Sequence, residues 1–239
     1  MTLLDVKNIK KAFAGNLAVD DVSLQVQEGS ITGLIGANGA GKTTLFNCIA
    51  GYYPADGGEV YFMNKKIHHL NAQSLCKLGL ARTFQIAKPF GDLSVLENVT
   101  VGGYNHARKR NKAIEYARES LEFTGLGHKM HSPAYLLNTG EQRKLELARA
   151  LATKPKLLLL DEVMAGLTPS ESVEMVELIR KIHKDGVTIL MIEHIMPAVM
   201  GLSDKIYVLE RGKLLAEGTP EEVVSDERVV TSYLGKGIK

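Results

Sequence analysis

An octapeptide at residues 36–43, Gly-Ala-Asn-Gly-Ala-Gly-Lys-Thr, constrains the fold of this chain more than any other feature, because it matches G-x-x-x-x-G-K-[ST] in full. The apolar run at 31–35 precedes it, and residues 42–50 favour a helix that ends at Gly51. The glycines let the backbone turn tightly, so that its N–H groups converge on phosphate oxygens, and the helix N-terminus adds partial positive charge. A dinucleotide-binding fold is disfavoured, because the glycine spacing is not G-x-G-x-x-G. The pattern therefore predicts a P-loop nucleotide site.

Two side chains of this loop are predicted to act directly on a bound nucleotide. Lys42 is expected to bridge the β- and γ-phosphates, and the Thr43 hydroxyl is expected to bind Mg²⁺. The predicted nucleotide-binding residues of the loop are Gly36, Ala37, Asn38, Gly39, Ala40, Gly41, Lys42, Thr43 and Thr44.

Three short apolar runs, at 31–35, 157–160 and 187–192, have the continuous hydrophobicity of strands that are buried on both faces. After the second run, Thr168 is a predicted N-cap, Pro169 the first helical residue and Glu171 the capping-box acid. This helix is expected to end at 185–186. Its buried face is predicted to consist of Val173, Val176, Ile179 and Ile182. A strand, a helix and a strand in this order favour an α/β fold with a parallel sheet.

The rest of the chain differs from this core. Residues 3–9 and 18–26 alternate polar and apolar positions, as half-exposed antiparallel strands do, whereas helices are predicted at 112–123 and 141–152. The basic cluster at 108–110 is expected to be a solvated helix start. We therefore expect one α/β domain over 1–239, with a P-loop (RecA-like) core of 1–85 and 141–239 and a mostly parallel sheet. An N-terminal antiparallel β subdomain and an inserted α-helical subdomain at 86–140 complete it.

The composition of the 239 residues argues against several other classes of protein. The formal net charge is +2, which gives no electrostatic footprint for bulk nucleic-acid binding, so no nucleic-acid partner is expected. Cys48 and Cys76 form no C-x-x-C pair, which favours a reducing compartment over a disulfide framework or a zinc cage. The N-terminus lacks the apolar stretch of a signal peptide, and no apolar run approaches the ~18 residues of a membrane span. A cytosolic protein is expected.

Two acidic residues, Asp161 and Glu162, directly follow the apolar run at 157–160. At the end of a buried strand beside a P-loop, Asp161 is expected to hold Mg²⁺ and Glu162 to polarise the attacking water. Without the P-loop, a solvated strand end would be the simpler interpretation. His194 follows the run at 187–192, at the edge where parallel strands end. It is either a structural histidine or one that bonds the γ-phosphate or orients Glu162.

Together with the segments between them, these residues resemble the ATP-binding subunit of ABC transporters over nearly the whole chain. The features occur in the order of that family: residues 36–43 as Walker A, Gln85 as the Q-loop, 137–141 as the signature, 157–162 as Walker B and His194 as the switch histidine. The resemblance implies ATP hydrolysis, with ATP and Mg²⁺ as cofactors. It also implies two subunits packed head to tail, with each ATP between the Walker A of one subunit and the signature of the other.

The signature departs from the family's usual Leu-Ser-Gly-Gly-Gln. Asn138, Gly140 and Glu141 are the residues implied to contact the nucleotide of the other subunit, while Thr139 adds a Cβ where glycine is usual. The predicted helix that follows would offer the N–H groups of its N-terminus to that phosphate. These departures are expected to affect how strongly ATP drives closure of the two-subunit dimer, and not the resemblance to the family.

The resemblance also assigns roles to three places outside the main motifs. Gln85 would touch both Mg²⁺ and the attacking water, and would couple the site to a membrane subunit. Phe13 would stack on adenine, unless it is a core phenylalanine. Pro89, Phe90 and Leu93 would line a groove that receives a helix of the membrane subunit, unless Phe90 and Leu93 plug the helical insertion into the core.

Several stretches are most similar to the branched-chain amino acid importer subfamily, and specifically to the first of its two ATPase subunits. They are residues 38–47, 81–85, 96–99, 161–166 and 233–235. This similarity implies a second ATPase subunit, two transmembrane permease subunits and, indirectly, a solute-binding protein, with the chain peripheral on the cytoplasmic face of the cell membrane. Two alternatives stay open: the ATPase of a lipid or lipopolysaccharide exporter, and a soluble ABC ATPase outside transport.

Overall fold

The computed structural model describes residues 1–85 and 88–234, with the backbone alone for 233 and 234. These residues form two compact units. The first comprises Met1–Leu75 and the described part of Thr188–Lys239, and the second comprises the described part of Cys76–Val187. The predicted subdomain boundary at residue 86 lies outside the described residues, and the one at 140 falls inside the second unit.

In chain order the strands are β1 (Thr2–Phe13), β2 (Asn16–Gln27), β3 (Ile31–Gly36), β4 (Gly57–Phe62), β5 (Lys65–Lys66), β6 (Leu80–Arg82), β7 (Leu157–Asp161), β8 (Thr188–Ile192), β9 (Lys205–Glu210) and β10 (Lys213–Gly218). The α-helices are α1 (Lys42–Ile49), α2 (Ala72–Leu78), α3 (Val95–Gly103), α4 (Arg110–Phe123), α5 (Thr139–Leu151), α6 (Pro169–Lys184), α7 (Met196–Leu202), α8 (Pro220–Ser225) and α9 (Glu227–Val229). Short 3₁₀ turns occur at Gly127–Lys129 and Ala134–Leu136, and a π-helical segment at Val230–Leu234. Within the described ranges, no helix has the length and apolar character needed to cross a membrane.

The first unit carries an antiparallel sheet of order β2-β1-β4-β5. β1 follows the predicted alternation only around Leu4 and Val6, which are buried on either side of a partly buried residue. Leu3 is buried as well, and a register shift between Val6 and Ile9 interrupts the pattern. Both β1 and β2 extend beyond the predicted 3–9 and 18–26. They are joined by a two-residue turn in which Ala14 (φ 46°) and Gly15 (φ 84°) are both left-handed, as a type I′ hairpin requires.

A second sheet of the first unit has β3 between β8 and β9, both parallel to it, and β10 antiparallel to β9. Every residue of β3 and β8 is buried, which confirms the predicted strands at these two apolar runs. In the register, Leu34 of β3 lies beside Ile192 of β8. The carboxyl ends of the two strands therefore meet at one edge, and the phosphate-loop motif follows β3 there.

The second unit contains the parallel pair β6 and β7, with Arg82 opposite Leu159. All residues of β7 are buried, as predicted for 157–160. Helices α3, α4 and α5 pack around an apolar cluster that includes Val99, Leu121 and Leu145. The exposed basic cluster at 108–110 forms the start of α4, which confirms that prediction. Parallel strands, covering helices and an antiparallel N-terminal sheet confirm the α/β fold class.

Helix α6 has the predicted N-terminus but a different buried face. Thr168, Pro169 and Glu171 form the expected N-cap, first helical residue and capping box. The buried residues are Met175, Leu178, Ile179 and Ile182, while Val176 is only partly buried and Val173 is 64% exposed. The prediction was right for Ile179 and Ile182 and wrong for Val173 and Val176, because a strict spacing of three drifts around a helix with 3.6 residues per turn. The observed set follows i, i+3, i+4 and i+7, which stays on one side.

Candidate functional site

The phosphate-loop motif runs from the end of β3 into the first turn of α1. Gly36 and Gly41 both have positive φ, of 150° and 99°. A Cβ added to Gly36 would lie 2.2 Å from the carbonyl oxygen of Leu209. One added to Gly41 would lie 2.4 Å from the carbonyl oxygen of Ala18. Neither position accepts a side chain without displacement of backbone, so the tight path of the loop depends on these glycines.

Lys42 opens α1, and its side chain folds back onto the loop. The buried Nζ donates to the carbonyl oxygens of Gly36 (2.7 Å) and Ala37 (3.1 Å). Residues 37–39 form an exposed crest, whereas Thr43 and Thr44 are partly buried in the first helical turn. The structure thus gathers the predicted loop residues into one exposed backbone turn with a cation at its base, an arrangement suited to a phosphate.

Phe13 ends β1 beside the type I′ turn and is 42% exposed. Its ring packs edge-on against Tyr53, with 5.3 Å between centroids. The interpretation as a core phenylalanine is therefore wrong, and stacking on adenine stays a prediction. Nearby, Lys11 Nζ lies 2.8 Å from Asp56 Oδ1, and this hydrogen bond, with one from the Ala12 N–H, lowers the pKa of Asp56.

Glu193 and His194 follow β8 at the edge where β3 gives way to the phosphate loop. Glu193 is buried and His194 is exposed. Because β8 is parallel to β3 and their ends are in register, the structure brings His194 to the edge that carries the loop. Whether it acts on a phosphate stays a prediction.

In the second unit, Asp161 lies at the end of β7 in a buried ion pair. Its Oδ2 accepts a hydrogen bond from Nη2 of Arg82 at 2.8 Å, and the two side chains are 1% and 7% exposed. Burying two charges carries a considerable desolvation penalty, which their attraction offsets only when the hydrogen-bond geometry is good. Each side chain therefore depends on the other to remain charged in a buried position. Arg82 was not among the site residues predicted from the sequence. A charged residue within the apolar segment 80–82, immediately before the Gln85 segment, is the signal that points to it.

Glu162 takes an unusual backbone conformation, with φ 50°. A non-glycine residue in the left-handed region is strained, and such residues cluster at functional sites. Its Oε2 accepts a hydrogen bond from Nε2 of Gln85 at 2.7 Å. The structure therefore brings together two residues that the sequence placed 77 positions apart and assigned to the same water.

The signature segment forms the N-terminus of α5 rather than a loop before it. The predicted start at 141 was wrong, because Asn138 and Glu141 make a capping box that begins the helix at Thr139. Asn138 Oδ1 accepts a hydrogen bond from the Glu141 N–H. The Glu141 carboxylate accepts hydrogen bonds from the Asn138 N–H and from Lys129 Nζ. Burial raises the pKa of Glu141, but these hydrogen bonds outweigh it and lower the pKa overall. A Cβ on Gly140 would lie 2.6 Å from Glu171 Oε1.

An exposed group of apolar side chains lies beyond Gln85. We name it the apolar patch and define it by Phe90, Leu93, Tyr135 and Leu136, which are 49%, 37%, 65% and 62% exposed. The Ala134 N–H donates to the Leu93 carbonyl oxygen at 3.0 Å, which brings the two segments of the patch together. Phe90 and Leu93 therefore do not plug into a core, and that alternative is wrong.

Comparison with known proteins gives matches along the chain. The family described as "ABC transporter" matches residues 19–165, and the family described as "Branched-chain amino acid ATP-binding cassette transporter" matches residues 213–239. The high-affinity branched-chain amino acid transport ATP-binding protein LivG of Salmonella typhimurium is 40% identical over 250 residues, which cover 98% of each chain.

Solved structures give the same result. An ATP-binding cassette of an ABC transporter in its ADP conformation has a TM-score of 0.89 and 35% identity, covering 99% of this chain and all of that one (100%). Another ATP-binding cassette, dimeric in a post-hydrolysis state with ADP and Pi, has a TM-score of 0.82 and 25% identity, covering 91% of this chain and 98% of that one.

Proposed function

Because the chain belongs to the ABC transporter family and is an ATPase of that family, we propose that it powers the import of branched-chain amino acids. The observation that carries this proposal is the 40% identity to LivG over 98% of both chains. The match of residues 213–239 to a family named for the same transporters supports it. The division into a core of 1–85 and 141–239 and an insertion of 86–140 belongs to the same proposal.

ATP is held by the phosphate loop of the first unit. The N–H groups of the exposed crest receive the phosphate oxygens, and Lys42 exchanges its contacts with Gly36 and Ala37 for the β- and γ-phosphates. Phe13 offers an exposed ring on which the adenine stacks.

We propose three side chains as ligands of Mg²⁺, because this ion prefers hard oxygen ligands and keeps several of its waters. Thr43 offers a hydroxyl, Gln85 an amide oxygen and Asp161 a carboxylate whose charge Arg82 stabilises in a buried position. When bound, the ion would neutralise charge on the β- and γ-phosphate oxygens.

Glu162 acts as the base for the attacking water. The Gln85 amide fixes its carboxylate at a hydrogen-bonding distance of 2.7 Å, so the lone pair that accepts the proton has a defined direction. The proposed role of His194 is to bond the γ-phosphate or to orient Glu162.

Two partners complete the transporter. A second ATPase subunit packs head to tail, so that Asn138, Gly140 and Glu141 meet the nucleotide of the opposite subunit. A helix of a membrane permease docks on the apolar patch, whose large side chains are exposed. A solute-binding protein delivers the amino acid, and the chain works at the inner face of the membrane.

The test is reconstitution with the permeases encoded beside this chain and a measurement of ATP hydrolysis in the presence of their solute-binding protein. Leucine, isoleucine or valine should raise the hydrolysis rate, and histidine, as a control amino acid, should not. The complex that carries Glu162→Gln should show no such response. Equal rates with and without the three aliphatic amino acids would contradict the proposal for the solute.

A further inference from the structure

Helix α5 holds the peptide groups of Phe84 from both sides. The Phe84 N–H donates to Oε1 of Glu146 at 2.7 Å, and Nη1 of Arg143 donates to the Phe84 carbonyl oxygen at 3.2 Å. Arg143 and Glu146 are only 7% and 4% exposed. The residue that precedes Gln85 is thus fixed to α5 through both of its backbone polar groups.

The same arginine also reaches the segment that follows Glu162. Nη2 of Arg143 donates to the carbonyl oxygen of Ala165 at 3.4 Å, and the Ala165 N–H donates to the carbonyl oxygen of Glu162 at 3.1 Å. The Arg143 guanidinium therefore contacts the backbone of both segments, the one that carries Gln85 and the one that carries Glu162. The side chains of Gln85 and Glu162 are themselves hydrogen-bonded. That hydrogen bond joins the two segments where α5 holds them.

The burial of Glu146 is not explained by packing. Its Oε2 has no hydrogen-bond partner among the described residues and lies 3.8 Å from Nη1 of Arg143. A buried carboxylate oxygen without a hydrogen bond lowers stability, and an apolar residue of similar volume in this helix would avoid that penalty. The contact that the carboxylate does make is to the N–H of Phe84, the residue directly before Gln85.

We propose that Arg143 and Glu146 are positioning residues of the hydrolytic site, which hold Gln85 at hydrogen-bonding distance from Glu162. This rests on the proposed role of Glu162 as the base and is independent of which solute is transported.

The test is a comparison of steady-state ATP hydrolysis by the full-length chain and its variants. Glu146→Leu keeps the volume of the side chain and removes the acceptor, so kcat should fall by at least about tenfold while KM for ATP changes less than about twofold. Glu146→Gln keeps an oxygen for the Phe84 N–H and should lose less than about threefold of kcat. Lys144→Met, on the same helix, removes only an exposed pair with Glu174 and is the matched control.

A double-mutant cycle with Gln85→Ala separates positioning from a general structural role. If Glu146 acts through Gln85, adding Glu146→Leu to Gln85→Ala should lower kcat no further. Multiplicative losses in the double variant, or a parallel rise of KM, would overturn the proposal. If Glu146→Leu does not fold, Arg143→Met goes through the same cycle under the same criteria. If leucine does not stimulate hydrolysis by the wild-type protein, only the proposal of amino-acid import is contradicted. The double-mutant cycle still tests the positioning role, because it does not depend on the solute.

Discussion

Arg82→Met should destabilise the fold through the charge that it leaves behind. The Arg82 and Asp161 side chains are 7% and 1% exposed, and Nη2 lies 2.8 Å from Oδ2. Removal of one partner from a buried pair lowers the free energy of unfolding by about 3–5 kcal/mol, because the remaining charge is uncompensated. In a chain of this size each kcal/mol shifts Tm by about 2–4 °C, so we expect a fall of roughly 6–20 °C.

The chain contains no tryptophan, so unfolding in urea and on heating is followed by far-ultraviolet circular dichroism. Lys144→Met is again the matched control, because the Lys144–Glu174 pair is 25% and 57% exposed and is worth at most about 1 kcal/mol. The double variant Arg82→Met with Asp161→Leu should recover most of the lost stability, since no charge is then stranded. A loss below about 1 kcal/mol for Arg82→Met would refute the reasoning from burial.

Four other outcomes are expected. Glu162→Gln should retain ATP binding, lose turnover and accumulate an ATP-bound dimer, as seen by size-exclusion chromatography; near-normal hydrolysis would exclude Glu162 as the base. Lys42→Ala should lose affinity for ATP in a titration with a fluorescent analogue, and tight binding would contradict the phosphate-loop assignment. Ile182→Ala should lower the free energy of unfolding by about 2–5 kcal/mol and Val173→Ala by less than about 0.5, because only the first side chain is buried; similar losses would argue against the observed face of α6. Burial raises the pKa of the Cys48 thiol to about 11, so native protein at pH 8 should resist alkylation that urea-unfolded protein undergoes, measured by peptide mass spectrometry; equal labelling would place Cys48 at the surface.

The sequence predicts those parts of the site whose chemistry is local. The phosphate loop, the buried strands around it and the capping box of α6 each depend on residues within one short segment, so pattern and propensity agree with the fold. The start of α5 was also predictable from local sequence, because residues 138–141 have the N-x-x-E pattern of a capping box. The prediction was wrong because these residues were interpreted only as a family motif.

The contacts between distant segments could not be predicted in this way. Arg82 meets Asp161 across 79 positions, and Glu146 meets Phe84 across 62. No spacing rule relates such pairs, because the strand pairing and helix packing that bring them together are tertiary. The turn after Phe13 was not predicted either, because Ala14, a non-glycine residue, takes a positive φ of 46° there that propensity does not anticipate.

The left-handed backbone of Glu162 also sets stability and activity against each other. A non-glycine residue in this region lowers stability by about 1–2 kcal/mol relative to a residue that tolerates it. Laboratory evolution for heat resistance alone would therefore favour glycine or asparagine at position 162. Either substitution would also remove the carboxylate of the proposed base. A screen for more thermostable variants of this ATPase therefore needs to select for ATP turnover at the same time.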